Sequence, residues 1–234
     1  MHRLMLIALT AILATAIVAG PATADDEQSA DRLGGAPTTW KVTITNLTPA
    51  GPGVPGSQPL SPPLFVVHSP FVSVWRVGQI ASHGVAAIAE DANNAVLESA
   101  LPQLRGVESA FTGAGGPIPS GQSRTYTVET EERFTRLSLL TMLVNTNDAF
   151  TGLDSISPGR LGPVHMTLAY DAGSERNNEL RSHIPGPCCG SMFVRDPEGQ
   201  LIRHHEGITG RGQLSPALYD WNDPVARIEI VRAP

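Results

Sequence analysis

The chain has 234 residues and a formal net charge of −6, from 22 acidic against 16 basic side chains. A mildly acidic protein is a poor candidate for binding nucleic acid and a plausible one for binding cations. Its 23 glycines and 20 prolines argue against a helical protein and favour many turns that join short strands.

The first 24 residues have the pattern of a signal peptide. Arg3 precedes an apolar run from Leu4 to Val18, and Ala22-Thr23-Ala24 supplies the small residues that a signal peptidase recognises before the acidic Asp25. A membrane anchor is the alternative, but a spanning helix requires roughly 20 apolar residues and this run has about 15. We therefore expect cleavage, a secreted, periplasmic or cell-surface protein, and a disordered linker over residues 25–39.

Short apolar runs and periodic patterns predict the elements of the first half of the domain. Trp40–Asn46 alternates with the period of a strand, and Leu64–His68 and Phe71–Val77 are short runs typical of strands. Between Gly84 and Leu104, apolar residues recur at helical spacing. This pattern predicts two short helices with a break near Asn93-Asn94.

The second half of the chain is again typical of strands. Met192–Val194 and Leu201–Arg203 are predicted to pair as a hairpin across Asp196–Gly199. Four further strands are predicted, at Ser123–Glu129, Arg136–Val144, Val164–Tyr170 and Val225–Val231. About eight strands separated by turns indicate one mainly all-β domain over residues 40–234, a sandwich or a barrel.

Two adjacent cysteines, Cys188 and Cys189, are the only ones in the sequence. Neighbouring cysteines close only a strained ring, because their Cα atoms are about 3.8 Å apart. A vicinal disulfide, two free thiols and an intermolecular bridge all remain open, and a structural role is favoured over redox chemistry or metal binding.

The common catalytic signatures are missing from the sequence, which contains no nucleophile elbow, zinc-protease helix, phosphate loop or dinucleotide-binding turn. His204-His205-Glu206 contains metal-ligand residue types, but adjacent side chains on a strand point to opposite faces. Ser82-His83 has no acid at a spacing that would complete a catalytic triad. Asn46-Leu47-Thr48 fits a glycosylation sequon, although such tripeptides are common by chance.

Acidic side chains follow two of the predicted strands. Arg136–Val144 leads into a loop that contains Asp148, and Val164–Tyr170 leads into Asp171 and Glu175. If both loops lie at the same end of a sheet, the three carboxylates converge, and they repel one another unless a cation joins them. Oxygen ligands without Cys or His favour Ca²⁺ over zinc. The alternative is that the aspartates only form turns.

Five segments of the sequence resemble the spondin N-terminal domain family, which is known from F-spondin-like matrix proteins and from bacterial exported proteins. They occur in the family's order and extend over nearly the whole mature chain, as in a bacterial exported single-domain member. The segments are Trp40–Thr48, Ala81–Asp91, Thr146–Ser155, Tyr170–Glu179 and Asp223–Ile230.

The resemblance implies a C2-like antiparallel β-sandwich with short helical insertions that binds Ca²⁺ through loop carboxylates. The metal ligands that it implies are Asp148, Asp171 and an acid four residues later, here Glu175. The sequence lacks the thrombospondin-type repeats and the cysteines of animal relatives. Matrix attachment and axon guidance therefore do not carry over, and adhesion is an analogy from the fold.

We therefore expect a noncatalytic calcium-binding module for adhesion or another binding role outside the cytoplasm. Its expected partner is an extracellular or cell-surface protein or glycan. Anionic lipid is a lesser candidate, because the sequence has no polybasic patch. Two other hypotheses stay open: an exported metal-dependent hydrolase that uses the same acids, and a structural envelope protein in which calcium only holds loops together.

Overall fold

The computed structural model describes residues 36–50, 57–160 and 162–234, which form two antiparallel β-sheets and a few short helices. The predicted signal peptide and residues 25–35 of the predicted linker lie outside these ranges. Within them, no helix is both long enough and apolar enough for a bilayer crossing. The predicted all-β sandwich is confirmed.

The smaller sheet has four strands, in the order β4-β1-β10-β7. These strands are β1 (Thr38–Asn46), β4 (Ser123–Thr130), β7 (Val164–Thr167) and β10 (Ala226–Arg232). The alternating pattern of β1 places its apolar side chains in the core, since Val42 and Ile44 are buried while Lys41 faces solvent. β1 begins two residues earlier than predicted, where Thr38 pairs with Thr130.

The larger sheet has six strands, in the order β3-β2-β5-β6-β8-β9. These are β2 (Leu64–His68), β3 (Val107–Thr112), β5 (Arg136–Met142), β6 (Ala149–Ile156), β8 (Tyr170–Asp171) and β9 (Arg203–His204). Every residue of β2 is buried, as are all residues of β5 after Arg136. Strands covered on both faces contain continuous apolar runs, which explains why these two lack alternation.

The two helices predicted between Gly84 and Leu104 are confirmed. The first begins after Ser82, whose hydroxyl accepts a hydrogen bond from the N–H of Val85, and it ends at Ala92 in the left-handed conformation. The helical elements are α1 (His83–Asp91), α2 (Ala95–Ala100), α3 (Pro216–Tyr219) and the 3-10 turns Leu101–Gln103 and Arg181–His183.

The larger sheet is the middle of three layers. On one face, Phe65 and Leu139 pack against the smaller sheet at Ile228 in the main hydrophobic core. On the other face, Val66 packs in a second core with Ile88 of α1, together with residues of α2. The helices therefore cover the face of the six-stranded sheet that the smaller sheet leaves open.

Two predictions of strands were wrong. Phe71–Val77 is not a strand. Val72, Val74 and Trp75 pack in the second core, and Trp75 donates a hydrogen bond to the carbonyl of Leu153 in β6, whereas Phe71 and Val77 are exposed. The hairpin of Met192–Val194 with Leu201–Arg203 does not form, since β9 pairs with β8 instead. The strands β3 and β6 were not predicted; in β6, a glycine and an aspartate interrupt the apolar pattern.

The predicted strand Val164–Tyr170 divides between the two sheets. β7 pairs with β10 in the smaller sheet, whereas β8 pairs with β6 in the larger one. At the crossover, the N–H of Ala169 donates to Asp223 and its carbonyl accepts from His205. The crossover places Asp171 directly opposite Ala149, and thus beside Asp148.

An aromatic cluster lies beneath this junction, and its central ring tests the fold. Phe150 is fully buried and packs edge-to-face on Trp75 at 5.0 Å. We expect Phe150→Ala to lower the free energy of unfolding in urea by about 3–5 kcal/mol. The matched control is Phe71→Ala, whose ring is 95% exposed and whose loss should change stability by less than about 0.5 kcal/mol. Equal effects would contradict this description of the core.

Candidate metal centre

Asp148 is a fully buried residue in the tight turn between β5 and β6. The turn is held by Thr146, whose hydroxyl donates to the carbonyl of Leu143 at 2.6 Å and accepts from the N–H of Ala149 at 3.0 Å. Because β6 starts at the next residue, the ladder of the larger sheet sets the direction of the Asp148 side chain.

The carboxylate of Asp148 binds the loop that follows β8. Its Oδ2 accepts hydrogen bonds from the amides of Ser174 and Glu175, at 2.8 and 2.9 Å, and from the Ser174 hydroxyl at 3.2 Å. Its carbonyl accepts from the N–H of Ala172. Its other oxygen, Oδ1, is buried and has no hydrogen-bond partner among the described residues. The two acidic loops therefore lie together at one edge of the larger sheet.

Asp171 closes the turn that brings Glu175 back to Asp148. Its Oδ1 accepts from the N–H of Gly173 at 2.6 Å, and its Oδ2 accepts from Asn177 at 2.7 Å and lies 2.6 Å from a guanidinium nitrogen of Arg203. Gly173 has a φ of +69°, and a Cβ there would lie 2.4 Å from the carbonyl oxygen of Gln200. The turn therefore requires glycine at this position.

Glu175 is buried, and neither of its carboxylate oxygens accepts a hydrogen bond from a described residue. Its Oε1 lies 3.3 Å from Nε of Arg195. The same guanidinium contacts Glu90, at 2.5 Å, and Asp91, both at the end of α1. Glu175 therefore lies between the loop that Asp148 binds and an ion-pair cluster on α1.

The electrostatics of the three candidate ligands reflect burial and mutual repulsion. Burial, reinforced by the charge of Asp171, raises the pKa of Asp148 to about 7. Burial also raises the pKa of Glu175 to about 8, with further contributions from Glu90 and Asp148. The pKa of Asp171 is raised by burial, although the amide of Gly173 and the charge of Arg203 oppose the change. A cation among these groups would favour their charged forms.

The donor chemistry of this edge fits a hard cation. Asp148 and Glu175 together present three buried carboxylate oxygens without hydrogen-bond donors, and Ca²⁺ binds such oxygens. Asp171 and Glu175 are each paired with an arginine. Over the described ranges, no group of three or more His, Cys, Asp or Glu side chains is already arranged for metal binding. The structure thus brings the three predicted acids to one edge with arginines among them.

Sequence reasoning missed the other charged residues of this edge. Glu90 and Asp91 end the predicted helix. The helix dipole disfavours negative charge at a C-terminus, so this pair of acids was a sequence signal that they have a partner elsewhere. Arg195 and Arg203 gave no such signal, because both belong to the hairpin that was wrongly predicted. Asn177 follows Glu175 closely but carries no charge.

The remaining residues that the sequence marked have structural roles here. His204 is exposed and pairs with Asp223, whereas His205 is buried against Trp221, so the adjacent histidines point apart. The side-chain amide of Asn46 is buried and donates to two backbone carbonyls, so the folded domain does not present this sequon for glycosylation. Cys188 and Cys189 form a vicinal disulfide.

An apolar cavity of about 280 Å³ lies next to the ion-pair cluster. Asp91 lines it and also contacts Arg195, so the cavity and the cluster share a wall. Most of the remaining lining is apolar, and it includes Pro59, Pro117, Pro119, Pro185 and Met192. The edge that holds the three acids therefore also presents apolar surface.

Residues 55–158 match the Spondin_N family model. The matched segment includes both helices that cover the larger sheet, Glu90 and Asp91 at the end of α1, and Asp148; Asp171 and Glu175 follow it. No curated protein matches the chain.

The raised pKa values predict how pH affects the stability of the metal-free protein. Asp148 and Glu175 have higher pKa values in the folded protein than in the unfolded chain, where they are near 4. Their contribution is therefore fully present below about pH 4 and is lost as pH rises through 7 and 8. In EDTA, we expect the wild type to lose at least about 1 kcal/mol more between pH 5 and pH 8.5 than Asp148→Asn/Glu175→Gln.

Urea denaturation at the two pH values measures this difference. Comparing the wild type with the double variant cancels the titration of every group that the two proteins share. The matched control is Glu108→Gln, which removes an exposed acid on β3 and should keep the pH dependence of the wild type. Equal pH dependence of the wild type and the double variant would show that the two acids do not titrate abnormally.

Proposed function

We propose that this chain, whose residues 55–158 belong to the Spondin_N family, is a noncatalytic module that binds Ca²⁺ through Asp148, Asp171 and Glu175. One observation carries the proposal: buried carboxylate oxygens of Asp148 and Glu175 lack hydrogen-bond donors at an edge where the Asp171 carboxylate is adjacent. Burying a charged oxygen without a partner is costly, and a bound cation removes that cost.

The three acids have different parts in holding the ion. Asp148 already joins the two loops through its Oδ2, which leaves Oδ1 for the metal. Glu175 has the longest side chain and two oxygens without donors, so it is suited to bidentate binding. Asp171 supplies an oxygen from the start of the turn, provided that Arg203 gives way. The ion would supply positive charge that neutralises these carboxylates and holds their loops in one arrangement.

The expected location supports calcium as the ion and binding as the role. The signal-peptide pattern of residues 1–24 favours a protein outside the cytoplasm, where calcium is plentiful and weak sites stay filled. Exposed apolar side chains at Met192, Phe193 and Val194 lie close to Arg195 and offer contact area for a partner. The proposed partner is an extracellular or cell-surface protein or glycan. The net charge of −6 makes anionic lipid a weaker candidate.

The two rival functions differ in what they require of the same acids. A metal-dependent hydrolase needs an open coordination position on its metal that water and substrate can reach, whereas Asp148 and Glu175 are both fully buried. Hydrolytic activity lost in Asp148→Asn without loss of fold would favour the hydrolase. A purely structural protein is consistent with the bonds from Asp148 to the second loop. It predicts that Asp171→Asn lowers stability but leaves partner binding unchanged.

Thermal unfolding of the purified protein tests calcium binding directly. We expect the midpoint measured in EDTA to rise when calcium is added in excess, because a ligand at 100 times its Kd stabilises the folded state by about 2.7 kcal/mol. For a domain of this size, that corresponds to a rise of about 5–10 °C. Asp148→Asn/Asp171→Asn should lose the rise.

The matched control for that experiment is Glu108→Gln/Glu206→Gln, which removes two exposed acids elsewhere and should retain the full rise. A wild-type midpoint that does not respond to calcium would refute the proposed function and leave the β-sandwich unaffected. A rise that persists in the double aspartate variant would place the ion elsewhere on the chain.

A further inference from the structure

Arg195 is the centre of an ion-pair cluster that includes one of the proposed calcium ligands. Its Nε lies 2.5 Å from Oε2 of Glu90 and 3.3 Å from Oε1 of Glu175, and its Nη2 contacts Asp91. The three acidic side chains are 15%, 1% and 5% exposed, respectively. Three largely buried acids thus share one guanidinium, so the fully ionised cluster carries more negative charge than one arginine balances.

Arg203 pairs with a second of the proposed calcium ligands. Its Nη2 lies 2.6 Å from Oδ2 of Asp171 and 2.9 Å from Oε1 of Glu198. Two of the three proposed calcium ligands therefore pair with an arginine, and the third, Asp148, has a buried oxygen without a donor. The chain's own guanidinium groups occupy positions at which a metal ion would neutralise the same carboxylates.

A guanidinium and a calcium ion exclude each other at Glu175 for reasons of charge and distance. Calcium binds carboxylate oxygens directly, at about 2.3–2.6 Å, and Glu175 is suited to give both of its oxygens. A guanidinium on the same carboxylate would lie within about 4–5 Å of the ion, where two positive charges repel strongly in a partly buried site. Metal binding therefore requires Arg195 to leave Glu175.

The segment that carries Arg195, residues 192–195, makes few other hydrogen bonds. The N–H of Phe193 donates to Asp91 at 3.2 Å, and Phe193 has a φ of +64°, which non-glycine residues rarely adopt. Its ring is 71% exposed. Backbone hydrogen bonds fix the chain on both sides, at Ser191 and at Asp196. A change at Arg195 would thus be confined to residues 192–195.

We infer that Arg195 is a built-in competitor of the metal, held by Glu90, Asp91 and Glu175 until a divalent cation displaces it and releases residues 192–195. The inference rests on the proposed function, because it concerns the same calcium site. Release would relieve the backbone strain at Phe193 and rearrange the exposed apolar side chains of Met192, Phe193 and Val194. Metal binding would thereby change the surface that a partner meets.

Isothermal titration of the full-length protein with calcium chloride tests the competition. We expect Arg195→Gln to bind calcium at least about tenfold more tightly than the wild type, because the competing charge is removed. Arg195→Lys, which keeps the charge, should stay within about threefold of the wild type. The matched control is Arg211→Gln, which breaks an exposed pair with Glu206 and should leave the affinity unchanged.

Equal or weaker binding by Arg195→Gln would overturn the inference while the calcium site itself stands. Absence of calcium binding in both the wild type and Arg195→Gln would overturn the proposed function as well. Binding seen only in Arg195→Gln would support the inference in its strongest form, with Arg195 outcompeting the ion in the wild type.

A measurement on the wild type covers the case in which Arg195→Gln does not fold. Hydrogen exchange of the backbone amide of Phe193, which donates to Asp91, should become at least about tenfold faster in saturating calcium than in EDTA. The amides of Ser174 and Glu175, which Asp148 holds, should exchange more slowly or at the same rate. Unchanged or slower exchange at Phe193 would refute the release of the segment.

Discussion

The hydrogen bonds from the amides of Ser174 and Glu175 to one oxygen of Asp148 join the two loops on which the site depends. They place the end of β8 against the start of β6 and bring the Glu175 side chain into the domain. The same bonds leave the second oxygen of Asp148 buried without a donor. The hydrogen bonds that organise this edge of the sheet thus leave a buried carboxylate oxygen that a positive charge would stabilise.

The surrounding residues meet that need only in part. Arg195 pairs with Glu175 and Arg203 pairs with Asp171, and neither arginine donates to the free oxygen of Asp148. The pKa values of Asp148 and Glu175 remain raised despite these arginines, because burial is the largest cause in both cases. Two arginines already pair with these acids, and one buried carboxylate oxygen of Asp148 still has no donor. Such a site is suited to the proposed exchange between arginine pairing and metal binding.

The layered fold gives a reason why the proposed release of residues 192–195 would leave the rest of the domain unchanged. Aromatic packing around Phe150 and the helices over the larger sheet hold the strands that lead to the site. Arg195 and the apolar residues before it belong instead to a segment outside both sheets. A fold built in this way suits the binding role that we propose, in which a fixed scaffold presents one changeable surface.

The sequence by itself determined the β-rich class, the two helices and the position of the three acids in loops after predicted strands. Each of these depends on a local pattern. Only the tertiary structure decided that Val164–Tyr170 divides between two sheets and that β6 pairs with β8. These choices depend on hydrogen bonds between residues far apart in the chain. The arginines that pair with Asp171 and Glu175 were beyond local patterns for the same reason, since each lies about twenty to thirty residues from its acid partner, a distance that only long-range folding closes.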